Sequence, residues 1–251
     1  MRERYQEDNS GQMIFGTRAV LEAVKSGKEF ERLFVQQGLS NPLLRELKVA
    51  LQEAGIHYQY VPQAKLQRLT SQNHQGVIAY LSTIEYHTIA DVLANVFSEG
   101  KVPLFIILDR ITDTRNLGAI ARTADGAGAH ALIIPSRGSA MITADAMKTS
   151  AGALSFIPVC REDNLKETID FLKDSGLRII SCTEKTPQLL KDVDFREPCA
   201  IIMGSEENGV SGEYIKRSTD LARIPMHGNI ASYNVSVAAG MVLYEVLRQR
   251  G

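Results

Sequence analysis

The stretch Leu104-Phe105-Ile106-Ile107-Leu108-Asp109-Arg110-Ile111-Thr112-Asp113-Thr114-Arg115-Asn116-Leu117-Gly118-Ala119-Ile120-Ala121-Arg122-Thr123-Ala124 changes its hydrophobic pattern halfway along. Leu104 to Leu108 is an unbroken apolar run, too short for a buried helix and without the alternation of a half-exposed strand, so it reads as a strand covered on both faces. Beyond it, Leu117, Ile120, Ala121 and Ala124 fall at i, i+3, i+4 and i+7, the stripe of an amphipathic helix over 116–126. Asp113 or Thr114 is the N-cap candidate, which puts Asn116 at the helix mouth.

The same alternation continues downstream. Strand-like runs fall near 131–134, 156–159, 178–182, 200–203 and 221–224, with helical patterns over 144–150, 165–175 and 213–218. Apolar strands separated by helices predict an α/β fold with a mainly parallel sheet and helices on both faces. The last helix starts at Val235 and is apolar around most of its circumference, which predicts burial; Ser232 and Asn234 precede it as capping side chains.

Upstream, residues 14–81 alternate short strands and helices in a second, smaller α/β unit, within which Pro42 and Gly55 mark the start and stop of a helix over 42–54. Between 82 and 103 the alternation stops, leaving one short helix over 90–97, and this is expected to be a linker. The resulting division is 1–83, a linker over 84–101, and 102–251.

With 251 residues, 44% of them hydrophobic, the chain has enough apolar surface for one large or two smaller cores. A formal net charge of −1 is not the footprint of a protein that coats nucleic acid indiscriminately, so RNA binding has to come from local patches. One such patch is Lys65, Arg68, Gln72, Asn73, His74 and Gln75, with Arg18, Lys25 and Lys28 elsewhere. Its plain alternative is a solvated surface loop.

Cys160, Cys182 and Cys199 are odd in number and widely spaced, which predicts neither a disulfide framework nor a zinc site and suits a reducing cytoplasm. The N-terminus is polar, without the apolar core of a signal peptide, and the first ten residues are expected to fray. No run approaches the length of a membrane span, so no membrane association is expected.

Three strand ends of the second half run into polar loops. These are Asp109 to Arg122, Ile201-Ile-Met-Gly-Ser-Glu-Glu-Asn-Gly-Val-Ser211, and the loop from Ile224 to Asn234. Each has a plain reading as a turn or solvated face, but parallel sheets gather ligands at these ends. There is no Gly-x-Gly-x-x-Gly, no Walker loop and no metal cluster in the sequence, so neither a dinucleotide enzyme nor an NTPase is indicated.

Taken together, Asn116 with Arg122, Gly204-Ser-Glu206, and Ile224-Pro-Met226 with Ser232-Tyr-Asn-Val-Ser-Val237 resemble the three signature motifs of the SpoU (TrmH) family of RNA ribose 2′-O-methyltransferases. The first half resembles the small ribosomal-protein-like RNA-binding domain that precedes the catalytic domain in the large-subunit rRNA guanosine methyltransferases of that family. The resemblance implies a C-terminal trefoil knot, S-adenosylmethionine as co-substrate with no metal, and a homodimer formed through the catalytic domain. It implies catalytic or RNA-binding roles for Asn116, Arg122, Glu206, Ser232 and Asn234. Thr183, Gly204, Ile224, Met226 and Tyr233 would line the cofactor pocket, Tyr233 standing where the family has Leu. The implied substrate is large-subunit rRNA, with tRNA, an antibiotic-resistance rRNA site, or a weakly catalytic assembly role as alternatives.

Overall fold

The computed structural model describes residues 12–230 and 232–251; the expectation for the first ten residues lies outside them. The described chain divides into two compact units, one running through Glu85 and including Ile142–Ala144, the other comprising Tyr86–Met141 and Asp145–Gly251.

In the first unit the elements are β1 (Met13–Phe15), α1 (Thr17–Lys25), β2 (Phe30–Gln36), α2 (Pro42–Glu53), β3 (Gln59–Val61), α3 (Gln63–Leu69) and β4 (Val77–Leu81). The sheet order is β1-β4-β2-β3, antiparallel except for the β2–β3 pair. One face of the sheet packs Leu33, Val35, Val77 and Ala79 against Val20 and Leu21 of α1 and Leu44, Leu47 and Leu51 of α2. The start of α2 follows from its sequence: Asn41 accepts from the Leu44 N–H at 2.8 Å and Pro42 occupies the first turn. Gly55 ends it at φ 65°, a conformation a Cβ resists.

The second unit contains β5 (Tyr86–His87), α4 (Ile89–Ser98), β6 (Leu104–Asp109), α5 (Thr114–Gly126), β7 (Ala131–Pro135), α6 (Ala144–Thr149), β8 (Val159–Glu162), α7 (Leu165–Asp174), β9 (Arg178–Cys182), β10 (Cys199–Gly204), α8 (Gly212–Arg217), β11 (Asp220–Ala222) and α9 (Val235–Arg250). The seven-stranded sheet has the order β11-β9-β10-β6-β7-β8-β5, and every pairing is parallel. Every residue of β6 is buried, as an unbroken apolar run in a parallel sheet requires. On one face Phe105, Ile107, Ile133, Ile179 and Ile202 meet α4 and α7; α5 and α9 pack on each other, and α9 on β10, outside that cluster.

Three expectations change. The strand expected over 156–159 starts only at Val159, because Pro158 has no N–H to give a ladder and restricts Ile157; Phe156 is 78% exposed after a short 3-10 turn over Ala153–Ser155. The stretch expected to be a linker, 84–101, contains β5, paired with β8, and α4, whose Ile89, Val92, Leu93 and Val96 enter the core. Helix α9 is not buried all round: Val237, Tyr244 and Leu247 are 50%, 68% and 46% exposed along one side.

The C-terminal end of α9 is held by one guanidinium. Arg250 donates to the carbonyls of Val102, Pro103, Phe195 and Glu197 at 2.8–3.1 Å and lies 3.4 Å from Cys199 Sγ. A single side chain thus gathers the entries to β6 and β10. Arg250→Ala is expected to cost about 2–4 kcal/mol, because it strands several carbonyls that had a charged donor. That corresponds to a melting midpoint lower by roughly 5–15 °C, and thermal unfolding of the variant beside the parent checks it.

All three cysteines are free thiols. Burial pushes the Cys160 and Cys182 thiols up to about 12 and Cys199 to about 11. At pH 8 the folded protein is therefore expected to resist a thiolate-directed reagent at all three positions, and to titrate fully once unfolded. Rapid modification of the folded protein would contradict this.

Candidate active site

The site grows from two neighbouring strands. Asp109, the last residue of β6, is opposite Gly204, the last of β10. After β6 the chain turns into α5, where Asp113 accepts from the N–H groups of Arg115 and Asn116 at 2.6 and 3.0 Å and so sets Asn116 in the first helical turn. After β10 the chain folds tightly back: a Cβ on Gly204 would lie 2.1 Å from Gly209 C and Val210 N. Only glycine permits that approach.

The third element is the loop entering α9. Asn234 is the N-cap: its Oδ1 accepts from the Ser236 N–H at 2.9 Å, the Val237 N–H at 3.4 Å and the Ser236 hydroxyl at 2.6 Å. Because the cap consumes the oxygen, the amide nitrogen has to face the other way. It donates to Glu206 Oε1 at 2.7 Å and to Asn116 Oδ1 at 3.1 Å, while Asn116 Nδ2 donates to the same Glu206 oxygen at 2.8 Å. One carboxylate oxygen on the β10 loop therefore orients an amide from each of two helix mouths. Asn116 and Glu206 border a cleft of about 370 Å³ lined also by Arg110, Asp113, Asn208 and Val235, the residue that follows Asn234.

Of the five catalytic candidates, Asn116, Glu206 and Asn234 are joined in this set. Arg122 is exposed further along α5, and its side chain makes no hydrogen bond or ion pair among the described residues, which leaves the guanidinium donors for a ligand. Ser232 is exposed and makes no such bond either; the capping role it shared with Asn234 in the sequence falls to Asn234 alone.

The cofactor candidates lie after the strands β9, β10 and β11, which are neighbours. Thr183 is buried, its N–H donating to Ala222 O at 2.9 Å. Arg223 exchanges backbone bonds with Gln188 and Leu190, both 2.9 Å, which holds the β9 and β11 loops side by side. Ile224 and Met226 are half-buried, and their N–H groups have no partner among the described residues. Tyr233 donates its hydroxyl to Pro225 O at 3.2 Å, folding the loop onto itself. Unspent backbone donors beside half-buried apolar side chains are what an adenosyl group needs: polar edges for its base and apolar walls for its faces. Among the described residues no cluster could hold a metal ion, and no helix is long and apolar enough to cross a membrane.

The basic patch of the first unit is only partly available. His74 is buried and its Nδ1 accepts from the Gly76 N–H at 3.0 Å, and Lys65 sits 4.8 Å over the Phe34 ring. Arg68, Gln72 and Asn73 remain exposed. A group that the sequence reading passed over is Tyr58 and Tyr60, edge to face at 5.3 Å with Lys48 5.1 Å from the Tyr60 ring. The alternation of Tyr58 and Tyr60 at the entry to β3 was the available signal. Asp109 and Arg110 were also passed over, although a carboxylate ending a wholly apolar strand is itself a sign of a held charge.

Residues 103–244 match the family model described as the SpoU rRNA Methylase family, and residues 13–87 match RNA 2′-O ribose methyltransferase substrate binding. The Bacillus subtilis protein YacO, provisionally named a TrmH family tRNA/rRNA methyltransferase, is 35% identical over 94% of this chain and 95% of its own. Among solved structures, an RNA 2′-O ribose methyltransferase aligns at a TM-score of 0.56 and 27% identity, covering 99% of this chain and 92% of that one. The SpoU methyltransferase AviRb of Streptomyces viridochromogenes aligns at 0.60 and 26%, covering 96% and 90%.

Proposed function

The chain belongs to the SpoU rRNA methylase family, and from that premise we propose that it transfers a methyl group from S-adenosylmethionine to a ribose 2′-hydroxyl of RNA, a guanosine of large-subunit rRNA being the favoured target. The observation that carries this reading is the single Glu206 oxygen that orients the Asn116 and Asn234 amides beside an open cleft, with an unpaired Arg122 on the same helix as Asn116.

S-adenosylmethionine supplies an electrophilic sulfonium methyl. Thr183, Gly204, Ile224, Met226 and Tyr233 would hold it, largely through backbone groups; AviRb has been crystallised with the same cofactor. The other tasks belong to this chain's polar groups. Asn116 and Asn234, locked by Glu206, orient the ribose so that its 2′-oxygen is aligned for attack. Arg122 holds the adjacent phosphate and stabilises the negative charge that develops on that oxygen; a guanidinium, already protonated, has donors only and no lone pair with which to take the proton. Ser232, two residues before the cap, contributes a hydroxyl to the RNA.

The 1–83 domain, which falls within the first unit, is read as the RNA-holding part. Exposed Arg68, Gln72 and Asn73 offer phosphate and ribose contacts, and Tyr60 with Lys48 a stacking edge for an unpaired base. The exposed Val237, Tyr244 and Leu247 on α9 support a homodimer through the second unit. The family's trefoil knot, formed by the segment leading into α9, is part of the same reading. The test is transfer of labelled methyl from S-adenosylmethionine to large-subunit rRNA, small-subunit rRNA and tRNA in parallel. Label in large-subunit rRNA alone supports the proposal; label in tRNA alone keeps the chemistry and overturns the substrate.

A further inference from the structure

Arg110 has φ 58°, a left-handed backbone in which a non-glycine residue is strained. Such strain is maintained only where side-chain contacts hold it, and here they are specific. Arg110 Nε and Nη2 donate to the two oxygens of Asp109 at 2.8 and 3.1 Å, and Nη2 donates also to Gly209 O at 3.2 Å. Asp109, whose side chain is only 2% exposed, accepts in addition from the Ser211 N–H at 2.7 Å. The loop after β10 is therefore pinned near its far end at two points, Gly209 O and Ser211 N, and closed on itself where the Gly209 N–H meets Ser205 O at 2.9 Å. Glu206 lies between these anchors, and its Oε1 is the acceptor on which both active-site amides depend.

We propose that Arg110 is a positioning residue for methyl transfer: clamped to Asp109, it fixes the 205–211 loop and, through it, the Glu206 carboxylate. The proposal rests on the reading of Glu206 as the group that orients Asn116 and Asn234. Arg110 need not touch the RNA or the cofactor. Its effect is on rate through alignment, which falls steeply with small displacements of the aligning groups.

Arg110→Gly isolates the clamp, because glycine adopts the same φ without strain and removes only the side chain. The expected result is a kcat lower by about 10- to 100-fold, with KM for RNA nearly unchanged. Hydrogen exchange should speed up within 205–211 and remain as in the parent over β6 and α5. Arg110→Lys, a point donor that reaches one acceptor without the fork, should recover part of the rate. In a double-mutant cycle with Glu206→Ala, Arg110→Gly should lower the remaining rate by no more than about twofold, since the group it positions is gone. Equal penalties on both backgrounds, or parental kcat in Arg110→Gly, would overturn the proposal. If the parent enzyme itself methylated no RNA, the proposed function would fail, while unchanged exchange at 205–211 in Arg110→Gly would still refute the clamp.

Discussion

A Gly204→Ala enzyme is expected to lose methyl transfer by at least about 100-fold while most of its sheet stays folded. The reason is geometric. The added Cβ would meet Gly209 C and Val210 N at 2.1 Å and Gly209 O at 2.5 Å, and these are backbone atoms that cannot rotate aside. The whole 205–211 loop has to move. With it go Glu206, which holds Asn116 and Asn234, and the Gly209 carbonyl that Arg110 grips. Overpacking of this kind costs about 1–3 kcal/mol, which is noticeable but not enough to unfold a typical domain. Steady-state kinetics beside thermal unfolding separate the two effects. Near-parental kcat would mean that the loop can shift without disturbing the amides, and that the account of Glu206 is wrong.

The second large effect is expected at Arg122. Arg122→Ala should lower kcat by about 100- to 1000-fold, the usual consequence of removing a donor aimed at developing negative charge. Folding should be unaffected, since the side chain is exposed and unpaired among the described residues. Arg122→Lys is the sharper variant. It keeps the charge and loses the planar fork, so a bidentate hold on phosphate and alkoxide predicts that most of the activity disappears at neutral pH. If Arg122→Lys retained most of the rate, Arg122 would act as a point charge and the bidentate role would be excluded.

Much of the second unit was legible in the sequence because its signals are local. The buried run over Leu104 to Leu108 and the stripe of Leu117, Ile120, Ala121 and Ala124 became β6 and α5, and Asp113 caps the helix as its side chain and position suggested. Strand order was not legible: β10 inserts between β9 and β6, and its pairing with β6 joins residues more than ninety apart, which leaves no local mark. For the same reason the joining of Asn116, Glu206 and Asn234 could be suspected from three polar strand ends but not drawn as hydrogen bonds.

The departures have physical causes of the same kind. The apolar circumference of α9 predicted burial, yet Tyr244 is exposed, because periodicity counts apolar residues without saying which neighbour covers them. His74 was grouped with a polar loop by composition, but its ring accepts a backbone N–H two residues on and is buried. Arg110 carried no sequence signal at all. Its importance lies in a positive φ and a carbonyl ninety-nine residues away.

The most direct test of the central claim is the chemical position of the transferred methyl. The protein is incubated with S-adenosylmethionine and unmodified large-subunit rRNA, and the RNA is then hydrolysed in alkali. A methyl on the 2′-oxygen removes the nucleophile that alkali requires, so the account predicts label in an uncleaved dinucleotide carrying a 2′-O-methylribose. Label recovered on the base of a mononucleotide, with no protected linkage, would contradict it.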